Sequence, residues 1–369
     1  MSNRMVHVYR RCNDTKMDYL TIPTKLQFEL SSMCNALCLG CVRTDSNTFN
    51  NKKFQIPDKQ YIKFDIFKKI LLAPEFATVE ELEFCGTIDD PLMHPEFLDF
   101  LEFASTVKKY TIIIHTNASL RSKGYWKKLA IVLKKNYKHV VKFSIDGLED
   151  TNHLYRQNTT WSKIMENAQT FIDEGGRAFW QYLIFPWNEH QILDAKELSV
   201  KMNFWQFASR HDRSMITSIG MNSVLERKKS IEVAVIPVTS IRSIDDKLKN
   251  IVNNEISCNN QEKKMYFISF DSKLWPCCFM QNGLIASDSG KVDALNKRLY
   301  DAYDSDDWND ISEHSISDIL KHEFYGNDLV ASWESTEHGI GKEDRIYRCT
   351  EVCSVKNLEK LPIGNYKVI

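Results

Sequence analysis

The sequence has no long apolar run and no excess of either charge. No segment approaches the ~18 uninterrupted apolar residues that a membrane-spanning helix needs. The first residues, MSNRMVHVYRRCND, lack the run of ~7–15 apolar residues typical of a secretory signal, so we expect no signal peptide. The formal net charge is -1, so no basic field favours nucleic acid. We therefore expect a cytoplasmic protein without a membrane or nucleic-acid partner.

The chain also lacks internal repeats and low-complexity tracts. Of its 369 residues, 43% are hydrophobic and 26% are charged, which is ordinary for a globular protein. Apolar residues are spread along the whole length, so wholesale disorder is not expected. This length allows a large core together with a second, smaller domain.

Strand and helix patterns alternate about six times between residues 24 and 210. Such alternation predicts parallel strands joined by crossover helices. Six right-handed units of this kind make an open, partial (β/α)6 barrel of the TIM-like type, so the predicted fold class is α/β. In this architecture the loops at the carboxyl ends of the strands meet at one mouth and carry the chemistry.

Composition divides the chain into four segments. Residues 1–23 form an N-terminal extension, 24–210 the core barrel, 211–250 a polar connector and 251–369 a smaller α+β domain. In the last segment, MYFISFDSKLWPCCF (265–279) predicts a β-hairpin with its turn at residues 271–273. A helix is expected near residues 315–325.

Ten cysteines in a cytoplasmic protein are more naturally metal ligands or catalytic thiols than disulfide partners. Three of them, Cys34, Cys38 and Cys41, lie in SSMCNALCLGCVR at a C-x3-C-x2-C spacing. Structural zinc sites usually have four protein ligands, often as two C-x2-C pairs. Three thiols without a nearby fourth Cys or His suit a 4Fe–4S cluster with one open iron. A structural zinc site, or three unrelated buried thiols, is the alternative.

This spacing resembles the CxxxCxxC motif of the radical S-adenosylmethionine (radical SAM) enzyme family. Other segments resemble further motifs of that family, in the same order and over about residues 24–210. They are EFCGTIDDPLMHPEF (83–97) for the GGEP segment, HTNAS (115–119) for the TNG strand end, FSIDGLEDTNHLYRQN (143–158) for the S-x-D-G…YR segment, and IFPWNEHQILDAKELSV (184–200) for a late strand and helix. The sequence departs from the family where Ile88 and Asp89 replace two glycines and where Ala118 replaces the glycine of TNG.

The resemblance implies that Cys34, Cys38 and Cys41 hold the cluster and serve catalysis. In that family the amino and carboxylate groups of S-adenosylmethionine chelate the open iron. The reduced cluster donates one electron, and the resulting 5′-deoxyadenosyl radical takes a hydrogen atom from the substrate. The cofactor supplies this chemistry, while the protein orients it and excludes solvent. An external one-electron donor such as flavodoxin or ferredoxin is implied.

Eight further residues stand where the family binds S-adenosylmethionine: Gly86, Asp90, Pro91, Asn117, Ser144, Asp146, Arg156 and Asn188. The resemblance places residues 86–91 at the methionyl amino group and Asn117 at the TNG position. It places Ser144 and Asp146 at the ribose and methionine moieties, and Asn188 near adenine. Arg156 would pair with the methionyl carboxylate through a charge-assisted fork.

Structural roles are open alternatives for four of these residues. Asp90 could cap a helix, and Ser144 and Asp146 could form turns at a strand end. Arg156 could belong to a surface ion pair.

The C-terminal cysteines follow the order C-x18-CC-x70-C-x3-C. With the LWPCC hairpin, this order resembles the C-terminal extensions called SPASM and twitch domains, which bind auxiliary iron–sulfur clusters. Five cysteines fit the shorter twitch type with one cluster. The resemblance assigns four ligands, Cys258, Cys277, Cys349 and Cys353, and leaves Cys278 spare, although the two neighbours could be exchanged. A four-cysteine zinc site is the alternative.

The leading expectation for the substrate is a peptide or protein side chain, because family members with this C-terminal architecture often modify such groups. A small metabolite, a nucleoside or tRNA is the alternative substrate. A hypothesis of another class is a non-catalytic iron–sulfur scaffold or electron carrier. The missing glycines at Ile88, Asp89 and Ala118 favour that hypothesis.

Overall fold

The computed structural model describes residues 22–39, 41–46, 56–211, 256–286 and 307–333, and the single residues 346, 349, 352 and 353. The predicted N-terminal extension and the predicted connector lie almost entirely outside these residues. No helix in the described part of the chain combines the length and the apolar character needed to cross a bilayer.

Six parallel strands form the core sheet, as the sequence predicts. Together with a separate two-stranded pair, the strands up to residue 211 are β1 (Lys25–Phe28), β2 (Leu37–Cys38), β3 (Glu81–Phe84), β4 (Thr111–Thr116), β5 (Val140–Ser144), β6 (Arg156–Gln157), β7 (Ala178–Ile184) and β8 (Gln206–His211). The core order is β1-β3-β4-β5-β7-β8, and every neighbour in it is parallel. The short strands β2 and β6 pair antiparallel outside this sheet.

Helices connect the core strands. They are α1 (Val42–Ser46), α2 (Phe64–Leu71), α3 (Phe97–Val107), α4 (Lys123–Leu133), α5 (Asn152–Tyr155), α6 (Trp161–Asp173) and α7 (Ile192–Lys201), with 3-10 turns at Pro74–Phe76, Pro91–Met93 and Glu189–Gln191. The helix α2 shows why they pack on the sheet: Phe67, Ile70 and Leu71 share one face and are buried. Burying one such side chain stabilises the fold by about 1.5–3 kcal/mol. This alternation confirms the predicted partial barrel.

The two faces of the core strands differ in chemistry. On the outer face, Phe28 and Phe84 are fully buried, and both pack against Phe67 of α2. The inner face of β3 instead carries Glu83, and the inner face of β5 carries Lys142. Because side chains alternate along a strand, one face can fill the core while the other lines an interior lumen.

The C-terminal part extends the same sheet. Its elements are α8 (Asn259–Glu262), β9 (Met265–Ile268), β10 (Leu274–Trp275), α9 (Cys278–Ala286), α10 (Ile316–Lys321), a π-helical turn (Phe324–Asp328) and α11 (Leu329–Ala331). The predicted hairpin is present, with Leu274 of β10 opposite Ile268 of β9. The strand β9 also pairs in parallel with β1, which makes an eight-stranded sheet. The sequence analysis did not anticipate this pairing.

Candidate active site

The cysteine loop follows β1 and is pinned from several sides. Cys38 lies in β2 opposite Arg156 of β6, and the Leu39 amide donates to the Tyr155 carbonyl at 3.2 Å. The Cys41 amide donates to the Cys38 carbonyl at 3.3 Å, so the last two thiols sit on one turn. The loop is therefore held by the segment that follows β5, at the carboxyl end of the core sheet.

The thiols of this loop are in a buried, mutually repulsive environment. Burial raises the pKa of Cys34 well above its usual value, and the charges of Asp90 and Cys38 add to this effect. Burial also raises the pKa of Cys38 to about 12, against the opposing charge of Arg156. Metal ligation requires thiolates, so a bound metal would displace these protons.

Two side chains donate hydrogen bonds to the sulfurs. The Asn117 Nδ2 group donates to Cys34 Sγ at 3.7 Å, and the Arg156 Nη1 group donates to Cys38 Sγ at 3.7 Å. Hydrogen bonds of this kind stabilise thiolates and tune the potential of an iron–sulfur cluster. Three thiols on one loop, two of them with N–H donors, fit the predicted cluster.

Among the described residues, no group of three or more His, Cys, Asp or Glu side chains is arranged to hold a metal ion. The thiolates around a 4Fe–4S cluster bind different iron atoms, so they stand farther apart than the ligands of one ion.

Asp90 links three parts of the mouth. Its carboxylate accepts hydrogen bonds from Thr116 Oγ1 at 2.9 Å and from the Asn117 amide at 2.8 Å. It also caps the turn at Pro91–Met93 by accepting from the Leu92 amide at 3.1 Å. The Asp90 amide in turn donates to the Met33 carbonyl of the cysteine loop at 3.0 Å. The capping role is thus present, and a contact of Asp90 with the cofactor stays a prediction.

Gly86 is required by its neighbours. A Cβ atom there would collide with Asp89 Oδ1 and would lie 2.6 Å from Glu29 Cγ. Asp89, which replaces one of the family's glycines, forms hydrogen bonds of its own. Asp89 Oδ2 accepts from the Leu30 amide at 2.8 Å and from the Ser31 amide at 3.1 Å, which ties the 86–91 loop to the cysteine loop.

Ala118 adopts the backbone conformation that glycine favours. Its φ is 62°, in the left-handed region, and its side chain is fully buried. The neighbouring Asn117 accepts from the Ser119 amide at 2.9 Å and donates to Asn35 Oδ1 at 2.8 Å. The alanine therefore keeps the turn that a glycine would form, although an L-residue in this conformation costs free energy.

Asp146 and Arg156 form a buried ion pair beside the cysteine loop. The Arg156 Nε group donates to Asp146 Oδ2 at 2.6 Å, and the Leu183 amide donates to Asp146 Oδ1 at 2.7 Å. The Asp146 side chain is fully buried and that of Arg156 is 14% exposed, so this is not a surface pair. Burial opposes the charge of Arg156, but Asp146 and Cys38 together raise its pKa.

Asn188 and Ser144 have different surroundings. The buried Asn188 donates both amide hydrogens to backbone carbonyls, those of Asp146 and Leu183, at 2.9 Å each. Its Oδ1 accepts from the Phe185 amide at 2.7 Å, so Asn188 holds the end of β7. Ser144 is half-buried at the end of β5. Their contacts with a nucleoside stay predictions.

Four C-terminal cysteines line one apolar cavity: Cys258, Cys277, Cys349 and Cys353. Ile256, Met280, Leu329 and Trp333 are among its other walls. A hydrogen bond from Cys353 lowers the pKa of Cys258 to about 7, so two of these thiols are in contact. The four are the ligands that the sequence resemblance assigns.

Cys278 is absent from the lining of this cavity and packs against the main hydrophobic core instead. Burial, together with the nearby Cys85, Glu29 and Glu83, raises the pKa of Cys278 to about 12. The two adjacent thiols, Cys277 and Cys278, therefore lie in different environments.

The sequence analysis missed a polar group in the lumen. His115 Nε2 lies 2.8 Å from Glu83 Oε1, and Lys142 Nζ lies 3.7 Å from the same oxygen. Burial acts to raise the pKa of Glu83, but the hydrogen bond and charge of His115 and the charge of Lys142 lower it to about 2. About a fifth of each side chain is exposed, namely 20%, 18% and 18% for Glu83, His115 and Lys142. Charged residues at every second position of predicted buried strands were the available signal.

Comparison with known proteins gives matches in structure. No protein-family model matches the sequence, and no curated protein matches it. SuiB from Streptococcus suis, a radical SAM enzyme, superposes with a TM-score of 0.53 and 13% identity over 90% of this chain and 74% of SuiB. Native anSMEcpe with bound AdoMet superposes with a TM-score of 0.50 and 12% identity over 94% of this chain and 93% of that one. The chain has the radical SAM fold.

A third structure of this fold contains anSMEcpe with bound AdoMet and Cp18Cys peptide. It matches with a TM-score of 0.50 and 14% identity over 94% of this chain and 92% of that one. In the structure of SuiB bound to precursor peptide SuiA, the match spans 66% of that chain at a TM-score of 0.49. At these identities the radical SAM fold is what the chains share.

Proposed function

We propose that this protein is a radical SAM enzyme. The observation that carries the proposal is the loop of Cys34, Cys38 and Cys41 at the mouth of a radical SAM fold, with N–H groups aimed at two of its sulfurs. Three protein thiols leave one iron of a 4Fe–4S cluster without a protein ligand. When bound, the cluster and S-adenosylmethionine supply a 5′-deoxyadenosyl radical that removes a hydrogen atom from the substrate.

The chain's own residues would orient these groups. Cys34, Cys38 and Cys41 would hold the cluster, while Asn117 donates to Cys34 Sγ and Arg156 to Cys38 Sγ. Asp146 keeps the Arg156 guanidinium in place, with its cationic edge available beside Cys38 for a carboxylate. The 86–91 loop provides the polar wall for the methionyl amino group.

We assign a second, auxiliary iron–sulfur cluster to the C-terminal cavity. This assignment is supported by the four cysteines that line one apolar pocket, Cys258, Cys277, Cys349 and Cys353. Thiolate ligands within a hydrophobic wall suit an iron–sulfur cluster, although four thiols are also a zinc donor set. The radical chemistry needs a one-electron donor, for which a cytoplasmic flavodoxin or ferredoxin is our candidate.

The substrate we favour is a peptide or protein side chain. Its support is the anSMEcpe structure of the same fold, which contains a peptide together with AdoMet. The polar lumen group of Glu83, His115 and Lys142 could bind the charged or hydrogen-bonding parts of a peptide. A small metabolite, a nucleoside or tRNA is the alternative substrate.

The proposal is tested by cleavage of the cofactor. The protein is reconstituted anaerobically with iron and sulfide, then incubated with S-adenosylmethionine and dithionite, and 5′-deoxyadenosine is measured by chromatography. We expect 5′-deoxyadenosine in the reconstituted protein and none above background in the protein without iron. A reconstituted protein that holds iron but forms no 5′-deoxyadenosine would instead support the non-catalytic scaffold.

The two adjacent C-terminal cysteines should differ in metal content. We expect Cys277→Ala to lose about four irons per chain, because it removes one of four ligands from the C-terminal cavity. Cys278→Ala is the matched control and should retain all of its iron, since Cys278 does not line the cavity. Iron, sulfide and zinc are measured after reconstitution. If only Cys278→Ala loses iron, the two assignments are exchanged. If wild type contains zinc and Cys277→Ala loses that zinc but no iron, the cavity is a structural zinc site.

A further inference from the structure

A buried carboxylate joins the barrel to the C-terminal part. Glu29 follows β1 and is fully buried. One of its oxygens, Oε2, accepts from the Thr87 amide at 2.6 Å, from Thr87 Oγ1 at 2.8 Å and from the Ile88 amide at 3.0 Å. The other oxygen, Oε1, accepts from Gln281 Nε2 of α9 at 2.8 Å. We call Glu29, Thr87, Ile88 and Gln281 the Glu29 junction.

Two members of the junction, Thr87 and Gln281, also contact each other. Thr87 Oγ1 lies 3.1 Å from Gln281 Oε1, so the side-chain amide of Gln281 contacts both the Glu29 carboxylate and Thr87. Gln281 is itself 4% exposed. A buried carboxylate without donors is costly, so each of these hydrogen bonds stabilises the arrangement.

The same loop has a second contact with the C-terminal part. Ile88 is 2% exposed and packs with Phe270, which lies between β9 and β10. Val42 of α1, directly after the cysteine loop, packs on this pair. The helix α9 also packs on α1. The C-terminal part thus touches the 86–91 loop through both a polar and an apolar contact.

The loop depends on these contacts because it lacks the family's glycines. The backbone amides of Thr87 and Ile88 are both directed at Glu29 Oε2. This orientation turns the following backbone, up to Asp90 and Pro91, toward the cysteine loop, where the Asp90 amide meets the Met33 carbonyl.

We infer that Gln281 is a positioning residue for S-adenosylmethionine: through Glu29 it holds the 86–91 loop in the conformation that binds the methionyl group, so that cofactor binding in the barrel depends on the C-terminal part. This inference rests on the proposed function. It assigns a role to a residue that lies outside every motif in the sequence.

The charge at the junction provides a specific test. Glu29 is faced by Asp89 from the 86–91 loop and by Gln281 and Cys278 from α9, and burial raises the pKa of Glu29 to about 7. An amide at position 281 donates a hydrogen bond at any pH. A carboxyl group there donates only while the pair retains a proton, which it loses as the pH rises. The glutamate of Gln281→Glu should therefore donate the hydrogen bond to Glu29 only at low pH.

The experiment uses the reconstituted full chain with wild type, Gln281→Leu and Gln281→Glu. The dissociation constant for S-adenosylmethionine is measured by equilibrium dialysis at pH 6.0 and pH 8.5. We expect Gln281→Leu to bind roughly tenfold more weakly at both pH values, since leucine cannot donate a hydrogen bond to either the charged or the neutral form of Glu29. We expect Gln281→Glu to stay within about twofold of wild type at pH 6.0 and to weaken roughly tenfold at pH 8.5.

A second readout uses the protein without cofactor. Amide hydrogen exchange of a peptide containing Thr87 and Ile88 should be faster in Gln281→Leu than in wild type. The control is Gln169→Leu, which removes a half-buried glutamine of α6 that donates to Asp173 at 2.8 Å. That variant should match wild type in affinity and in exchange at this loop.

Three results would overturn the inference. They are an unchanged affinity in Gln281→Leu, unchanged exchange at Thr87 and Ile88, and a Gln281→Glu variant that weakens equally at both pH values. A wild-type protein that holds iron but does not bind S-adenosylmethionine would instead refute the proposed function, and the inference with it. Binding by wild type and by Gln281→Leu alike would refute the inference alone.

Discussion

Replacing Cys34, Cys38 and Cys41 together by alanine should abolish formation of 5′-deoxyadenosine and leave about four irons per chain, where wild type holds about eight. The reason is that all protein ligands of the first cluster come from this one loop, while the C-terminal cavity is untouched. Iron content and 5′-deoxyadenosine are measured on the same anaerobic preparation. The effect on activity is expected to be complete, because no other part of the described chain presents three thiols on one loop.

The matched control is Cys12→Ala, since Cys12 lies outside every motif of the sequence. It should retain both the iron and the activity of wild type. Activity in the triple variant would contradict the assignment of the cluster. A triple variant with no iron at all would show that the C-terminal thiols hold no iron–sulfur cluster, and zinc in that protein would identify the alternative site.

Asp146→Asn should lower the free energy of unfolding by about 3 kcal/mol, the range for breaking a buried ion pair by removing one partner. The carboxylate accepts from Arg156 on one oxygen and from the Leu183 amide on the other. An asparagine at this position has one acceptor oxygen, so its NH2 group must face one of these donors. The arginine is then left buried without its counter-ion. Urea denaturation of the protein without iron measures the change.

The control for this variant is Glu149→Gln, the same chemical change at an exposed position three residues away. It should alter the free energy of unfolding by no more than about 0.5 kcal/mol. Asp146→Asn should also load less iron, because Arg156 pairs with Cys38 across β2 and β6. An Asp146→Asn protein as stable as Glu149→Gln would show that the ion pair contributes little.

The sequence predicted the parts of this protein that depend on local pattern. The six core strands and their helices follow from apolar periodicity, which each segment carries within itself. The three-thiol loop follows from spacing alone, since C-x3-C-x2-C keeps the thiols within reach of one another. The hairpin at 265–279 was likewise predicted from its alternation and its turn, and is present.

Other features could not be read from local pattern. The pairing of β9 with β1 joins residues about 240 positions apart, and nothing in either strand specifies the other. The pairing of Cys38 with Arg156 brings an arginine onto the Cys38 sulfur through two strands of only two residues each. Whether Cys277 or Cys278 enters the C-terminal cavity depends on how α9 is rotated, and α9 is fixed by its contacts with the barrel.

Ile88 and Asp89 show the difference most clearly. In the sequence they are departures from a glycine-rich motif and favour a non-catalytic iron–sulfur scaffold or electron carrier. In the structure Ile88 packs on Phe270, and Asp89 bonds to the Leu30 amide, so both residues support the loop that the glycines would form. Long-range contacts can thus support a loop in which other residues replace the motif's glycines, and a motif does not include such contacts.

The amino-acid sequence by itself determined the succession of strands and helices, the three-thiol loop and the placing of polar residues at strand ends, because periodicity and spacing act over a few residues. Only the tertiary structure decided which distant groups meet: Glu29 with Gln281, Arg156 with Cys38, and four late cysteines in one cavity. The physical reason is that burial, charge pairing and hydrogen bonding depend on distances in space. Those distances are set only when strands from both parts of the chain have joined in one sheet.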